Sequence, residues 1–319
     1  MAGSINGWFL GEAFYHPAIN NCYVTGTVSG SNFLGGFVGV ANCAYIRSSS
    51  FSGVVNGGWE AGGFAGAVSN YSQVQNCYSS GTITYGYDVG GFAGQMLNYG
   101  SLNNCYSSCQ IESGINIGGL VGVTTDEYAS ATNSYWDIES SGTSSSALGT
   151  GRTTVQLKTR SSYPESWDFT SPAAPWWMVI GQMRPILRSE YSQQISTAHQ
   201  LQLMMLDPTV DYELVNDIDL AGTQDNAEIW GTLPEANGGF IPIGTEASVF
   251  TGTLEGNGFT ISNLYIKRHN TGQQSFMGKC NTAVVNNLAI TNAFVKGETY
   301  TGGLSSETSL SSLTNCSYS

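Results

Sequence analysis

The sequence predicts an all-β parallel β-solenoid built from coils of about 28 residues, with one short helix near 196–206. Three observations lead there. Glycine pairs recur at Gly35-Gly36, Gly62-Gly63, Gly90-Gly91 and Gly118-Gly119, at intervals of 27, 28 and 28 residues. An apolar ladder, Ile19, Ile46, Val74, Leu102 and Ala131, keeps step at 27, 28, 28 and 29, and each rung is followed three residues on by Cys22, Ser49, Cys77, Cys105 or Ser134. The segments between are short, punctuated by glycine and rich in Val, Ile, Thr, Tyr and Phe, which suits strands better than helices. A coil of this kind gains a core only when the next coil covers it.

Taken in order, residues 1–136 form a first repeat array. Its opening GWFLG reads as a repeat about one residue out of register. Residues 137–190 break the period and close the array: a Ser- and Gly-rich loop, a TTVQLK stretch long enough for one helical turn, then Trp167, Trp176, Trp177 and the strand-like MRPILR. Residues 191–270 open a second array and hold the helix. Thr197 and Gln200 are spaced as a capping box at its start, and Leu201, Met204 and Met205 form its buried face. Residues 271–319 form the second array, incomplete at its C-terminus. There Ser275-Phe276-Met277-Gly278 and Gly303-Leu304-Ser305-Ser306 lie 28 apart, as do Val285 and Leu313, and Asn315-Cys316 repeats the Asn-Cys pair of the first array.

Only 10% of residues are charged, against 41 glycines in 319 residues, so Ser, Thr, Asn and Gln must wet the surface. That profile fits extracellular β-rich repeat proteins. The net charge is −13, and Arg47 is the one basic side chain in the first 130 residues. Nucleic acid and anionic membrane are thereby disfavoured as partners, since both need a cationic patch. No apolar run reaches the roughly 18–20 residues of a membrane span, and the N-terminus lacks the basic start and apolar centre of an export signal. The chain starts and stops in complementary phases of the repeat. That points either to a piece of a longer repeat protein or to a subunit whose last coil continues into the first coil of another copy.

The runs VGGFAG and IGGLVG, the NCYSSG-like segments, and the order of closing and opening units around NSYWDIESSG and ISTAHQLQLM resemble bacterial surface proteins carrying GLUG-motif repeats. These are best known from large adhesins and IgA-peptidase-associated surface proteins. The resemblance spans nearly the whole chain, with departures at Ser49, Ser134 and Cys109. It implies a right-handed parallel β-helix and a cell-surface or extracellular location, and it implies no catalysis. The expected function is therefore a non-enzymatic structural solenoid, either an adhesin stalk segment or a fibre subunit that self-associates through its ends. The alternative is a glycan-binding or glycan-cleaving β-helix with a glycan or host-surface ligand.

Candidate residues follow from the same pattern. The glycine pairs lack the context of a phosphate loop and read as corners where backbones approach closely. Cys22, Cys77, Cys105 and Cys316 share one repeat position that Ser fills elsewhere, which suits an inward row of small apolar side chains better than a disulfide or a metal site. Cys43, Cys109 and Cys280 lie off that row, and the odd total leaves at least one free thiol. Asp126-Glu127 and Asp137 are further carboxylates, and Asp217 and Asp219 project to one side of a strand, the pair best suited to Ca²⁺. A turn-capping or solvated role is the expected one for these carboxylates, with Ca²⁺ as the alternative. No catalytic residue or other cofactor is assigned, and His16, His199 and His269 are scattered. Tyr23, Phe51, Tyr78 and Tyr106 form an aromatic row beside the cysteines: an exposed binding stripe, or a second packing layer if a loop covers it.

Overall fold

The computed structural model describes residues 4–6, 8–10, 13–233, 237–268 and 272–319, with side chains from residue 16 onward. His269, Met1–Gly3, Gly7 and Gly11 lie outside the described residues. The fold is an all-β solenoid of parallel stacked coils. It divides into two compact units, Met1–Ser189 with Ala227–Ile229 and Glu190–Asn226 with Trp230–Ser319.

In the first unit a typical coil carries four short strands. Residues 57–84 show the plan: Glu60–Gly62, Ala65–Ser69, Gln73–Gln75 and Tyr78–Ile83. Each pairs in parallel with its equivalents one coil away, Gly62 with Gly35 and Gly90, Ala65 with Val38 and Ala93. The apolar ladder read from the sequence is a registered column, Ile19–Ile46–Val74–Leu102–Ala131, and its three central members are buried. Phe37, Phe64 and Phe92 make a second column, with ring centroids 4.6 and 4.7 Å apart. That spacing matches the distance between hydrogen-bonded strands, so identical rings stack without leaving a gap.

The glycine pairs mark where backbones nearly touch. A Cβ on Gly62 or Gly90 would lie 2.0 or 1.8 Å from the carbonyl oxygen of Ala65 or Ala93. A Cβ on Gly63 or Gly91 would lie 2.2 Å from the carbonyl oxygen of Gly91 or Gly119 in the adjacent coil. Only a hydrogen fits at either position, so close approach dictates the pair. A third glycine has the same cause: a Cβ on Gly66 would meet the backbone of Phe33 at 2.4 Å.

The GWFLG segment differs from expectation. Ser4–Asn6 pairs in parallel with Val40–Asn42, but Trp8–Leu10 pairs antiparallel with Ala13–Tyr15. Trp8–Leu10, the described part of that segment, is therefore paired antiparallel and not in parallel as a shifted coil would be. Beyond the last coil, the TTVQLK stretch forms the expected helical turn, Thr154–Leu157, closed by a complete capping box between Thr153 and Gln156. Trp176–Trp177 then pairs antiparallel with Ile186–Leu187.

In the second unit the strand column is Tyr212–Leu254–Val285–Leu313, flanked by Met277–Asn281 paired with Ser305–Ser309. The helix runs from Ala198 to Leu203 and tightens into a 3₁₀ turn over Met204–Leu206. Thr197 Oγ1 accepts from Gln200 N at 3.2 Å. The Gln200 side chain, however, accepts from Ser196 N at 2.8 Å, one residue earlier than a capping box requires. Leu201, Leu203 and Met204 are buried and Met205 is half-buried. Among the described residues no helix is long and apolar enough to cross a membrane.

Candidate functional site

Three of the four residues of the expected aromatic stripe do share a column, which runs Tyr23, Ser50, Tyr78, Tyr106, Tyr135. Phe51 does not belong to it. It pairs with Val24 and Ser79 and is buried inside the unit, where its ring fills the space that a side chain on Gly36 would need. The coil is one residue short, and successive side chains of a strand face opposite ways, so a slip of one residue moves the ring from the outer face to the core.

The column is also covered. Tyr78 and Tyr106 stack at 5.2 Å and are fully buried. Trp176 packs at 6.2 and 6.0 Å from their rings, Trp167 lies 6.3 Å from Tyr106, and Tyr106 Oη donates to Pro185 O at 2.7 Å. Residues 160–188 thus make this row a second packing layer. Tyr23, with 40% of its surface exposed, is the member left at the surface.

A buried ion pair fastens the cover. Arg184 and Asp137 have fully buried side chains. The Asp137 carboxylate accepts from Arg184 Nη2 and, at 3.1 Å, from Arg184 Nε. It also accepts from Thr154 Oγ1 at 2.8 Å and caps the turn Ile138–Ser141 through Glu139 N and Ser140 N. Nearby, the serine column Ser52, Ser80 and Ser108 holds Ala227 and Glu228 of the same unit. Ser52 and Ser80 donate to the Glu228 carboxylate at 2.7 and 3.2 Å, and Ser108 donates to Ala227 O at 2.7 Å.

The Asn-Cys pair has a backbone cause that the sequence reading lacked. Asn21, Asn76, Asn104, Asn133 and Asn315 all hold positive φ, near 50°, the left-handed region that asparagine tolerates best after glycine. The residue that follows donates to the carbonyl two positions back. Cys77 Sγ reaches Gln75 O at 3.2 Å and Cys105 Sγ reaches Asn103 O at 3.4 Å. Ser49 and Ser134 donate to Arg47 O and Thr132 O at 2.8 and 2.9 Å. Cysteine and serine interchange because each is a small donor that closes this corner. All seven cysteines are free thiols. Burial, with Cys105 beside it, pushes the Cys77 thiol well above its ordinary range.

Cys109 occupies the place of Gly26, Gly53 and Gly81, of which Gly26 and Gly81 have φ of 126° and 105°. It does not adopt that conformation, and the strand breaks between Ser107 and Gln110. Its sulfur instead fills the space above Gly63, where a Cβ would lie 2.6 Å from Sγ.

Asp217 and Asp219 are exposed and serve backbone turns. Asp217 Oδ1 accepts from Thr260 N at 2.8 Å, and Asp219 Oδ1 accepts from Ala221 N and Asn263 Nδ2 at 2.9 and 2.8 Å. Among the described residues no three His, Cys, Asp or Glu side chains gather as a metal site would require. His199 lies in the second unit against Glu190, and His16 stacks on Tyr45 in the first.

The aromatic surface lies elsewhere. Tyr71, Tyr99 and Tyr128 stack at 4.6 Å, and each exposes more than two-fifths of its surface. Trp59 and Tyr87 form a second exposed column 5.0 Å apart, continued by Ile115. Tyr71 and Tyr99 sit at φ of 60° and 63° in the tight turns Ser69–Ser72 and Leu97–Gly100. Holding a tyrosine there costs on the order of 1 kcal/mol that glycine would avoid, so the residue is present for its side chain. Asp126 supports this corner by accepting from Tyr99 N and Tyr128 N at 2.7 and 3.0 Å. The 28- and 29-residue spacing of these tyrosines was visible in the sequence, without a sign of which face they take.

One coil carries a known motif. Residues 57–84 match the GLUG motif, and that coil is paired residue for residue with the coils on either side. The chain is a β-solenoid with a GLUG motif in one of its coils. It is also similar to halomucin of Haloquadratum walsbyi (strain DSM 16790 / HBSQ001), with 37% identity over 93 residues. That stretch covers 28% of this chain and 1% of halomucin. No solved structure matches. In the matched coil the glycines, the aromatic after the pair and the Asn-Cys corner are all accounted for by coil stacking.

Proposed function

We propose that this solenoid is a non-enzymatic structural segment of a cell-surface or extracellular protein, an adhesin stalk or fibre element. The observation that carries the reading is the in-register stacking itself: the repeated residues are spent on fitting one coil to the next. The likeness to halomucin supports a place at the surface, as does a sparsely charged, Ser-, Thr- and Asn-rich exterior. Stacked strands offer a further coil the same backbone hydrogen bonds, whether it comes from the same chain or from a second copy, which supports end-to-end association.

Protease treatment of intact cells expressing the full-length protein tests the location. Release of peptides from these coils before lysis is expected, and their release only after lysis overturns it. Negative-stain images of the purified chain test assembly. Rods that lengthen with concentration are expected, and particles of one fixed length at high concentration rule out end-to-end growth. A second reading, glycan binding along Tyr71, Tyr99 and Tyr128, is favoured by the strained turns that hold two of these tyrosines out. Retention on a polysaccharide column that Tyr99→Gly abolishes would support it, and equal retention of both proteins would refute it.

A further inference from the structure

Residues 160–188 do more than cover the tyrosine column: they line an open-mouthed cavity of about 310 Å³ in the first unit. It is lined by Arg160, Arg188, Phe169, Thr170, Trp177, Met178 and Ile180. The chain has 10 Lys and Arg against 23 Asp and Glu, yet this one cavity holds two guanidinium groups beside four apolar side chains. Each guanidinium is anchored by a backbone carbonyl: Arg160 Nη1 donates to Tyr163 O at 3.1 Å, and Arg188 Nε donates to Trp176 O at 3.3 Å. Arg160 also lies over the Phe169 ring, 4.6 Å from its centroid. Among the described residues no acceptor takes their remaining N–H groups. Asp168 is spent on its own turn, accepting from Thr170 N and Ser171 N at 3.0 Å and from Ser171 Oγ. At the rim, Ile180 leaves 64% of its surface in water.

We propose that this cavity binds a carboxylate carried on an apolar body. The carboxylate sits between the two arginines, whose planar donors match its two oxygens, and the apolar group covers Trp177, Met178 and Ile180. The volume lies at the small end of ligand sites and suits a single ring or one side chain. An acidic sugar fits less well, because Thr170 is the one neutral hydroxyl in the lining and buried sugar hydroxyls would go unpaired. Two sources share the favoured chemistry: a peptide carboxyl terminus ending in an apolar residue, and a free aromatic acid.

Isothermal titration of the full chain with N-acetyl-phenylalanine, its amide, phenylacetate and glucuronate tests the proposal. The two apolar acids are expected to bind, with the amide and glucuronate at least tenfold weaker. Tighter binding of N-acetyl-phenylalanine than of phenylacetate assigns a peptide terminus, and the reverse order assigns a free acid. Arg188→Gln and Trp177→Ala are each expected to weaken binding about tenfold with unchanged thermal unfolding. If either variant unfolds, the acid-to-amide ratio on the unaltered chain still decides. Equal binding of acid and amide, tighter binding of glucuronate, or no binding of either apolar acid at millimolar concentration overturns the proposal.

Discussion

Replacing Asp137 with Asn changes a carboxylate oxygen to an amide nitrogen at nearly constant volume, in a site from which water is excluded. The retained oxygen still caps the turn at Glu139 N and Ser140 N. The new NH₂ group meets Arg184 and Thr154 Oγ1, both of which donated to the lost oxygen. Arg184 is then a buried cation facing a donor. Breaking a buried pair in this way costs about 3–5 kcal/mol. For a unit of this size each kcal/mol lowers the midpoint by about 2–4 °C, so a fall of roughly 6–20 °C is expected. Circular dichroism during heating, with urea titration as a check, measures it. The double variant Asp137→Leu, Arg184→Met removes both charges and should recover most of the loss, leaving about 1 kcal/mol for the missing cap. A single variant within about 1 kcal/mol of the parent, or a double variant no better than the single, would refute the assignment of this pair as the fastening of residues 160–188.

Five further outcomes are expected. Gly91→Ala places a methyl group 2.2 Å from Gly119 O and should cost at least about 3 kcal/mol, whereas Gly142→Ala, at φ of 71° with open space around it, should cost about 1 kcal/mol; urea midpoints rank the two. Cys109→Gly restores the repeat's glycine but empties the space over Gly63, so a loss of about 1–2 kcal/mol is expected in the same assay, and a gain in stability would remove the packing role given to this sulfur. In thiol labelling of the native chain at pH 8, Cys22 should react first and Cys77, Cys105, Cys109 and Cys280 last. Burial pushes the Cys280 thiol up to about 11, from the ordinary 9.0. Its folded pKa is raised, so its contribution is full below about pH 9 and declines as pH rises toward 11, which unfolding measured across that range would show. Tyr99→Gly should leave stability within about 1–2 kcal/mol of the parent, because relief of the left-handed strain offsets the lost ring contacts.

The columns were legible where period and chemistry coincide. Ile46, Val74 and Leu102 are apolar, evenly spaced and buried, and the glycine pairs recur because stacking leaves no room for a Cβ. The aromatic row was harder. Tyr78 and Phe51 differ by one residue in register, and a one-residue deletion in a coil is enough to exchange outside for inside. The cover over Tyr78 and Tyr106 depends on residues roughly 60 to 100 positions away with no period of their own. Arg184 and Asp137 carried no spacing signal, and the cavity between Arg160 and Arg188 arises from a non-repeating loop.

Sequence alone determined the stacked, parallel, 28-residue character of this solenoid, because a repeated coil must match its neighbour and the matching residues therefore recur. Which surfaces are free was decided only by the tertiary structure. The segment that buries one tyrosine column and leaves another in water folds back by contacts that are neither local nor periodic. Burial is a property of what lies on top of a residue, and no spacing along the chain encodes that.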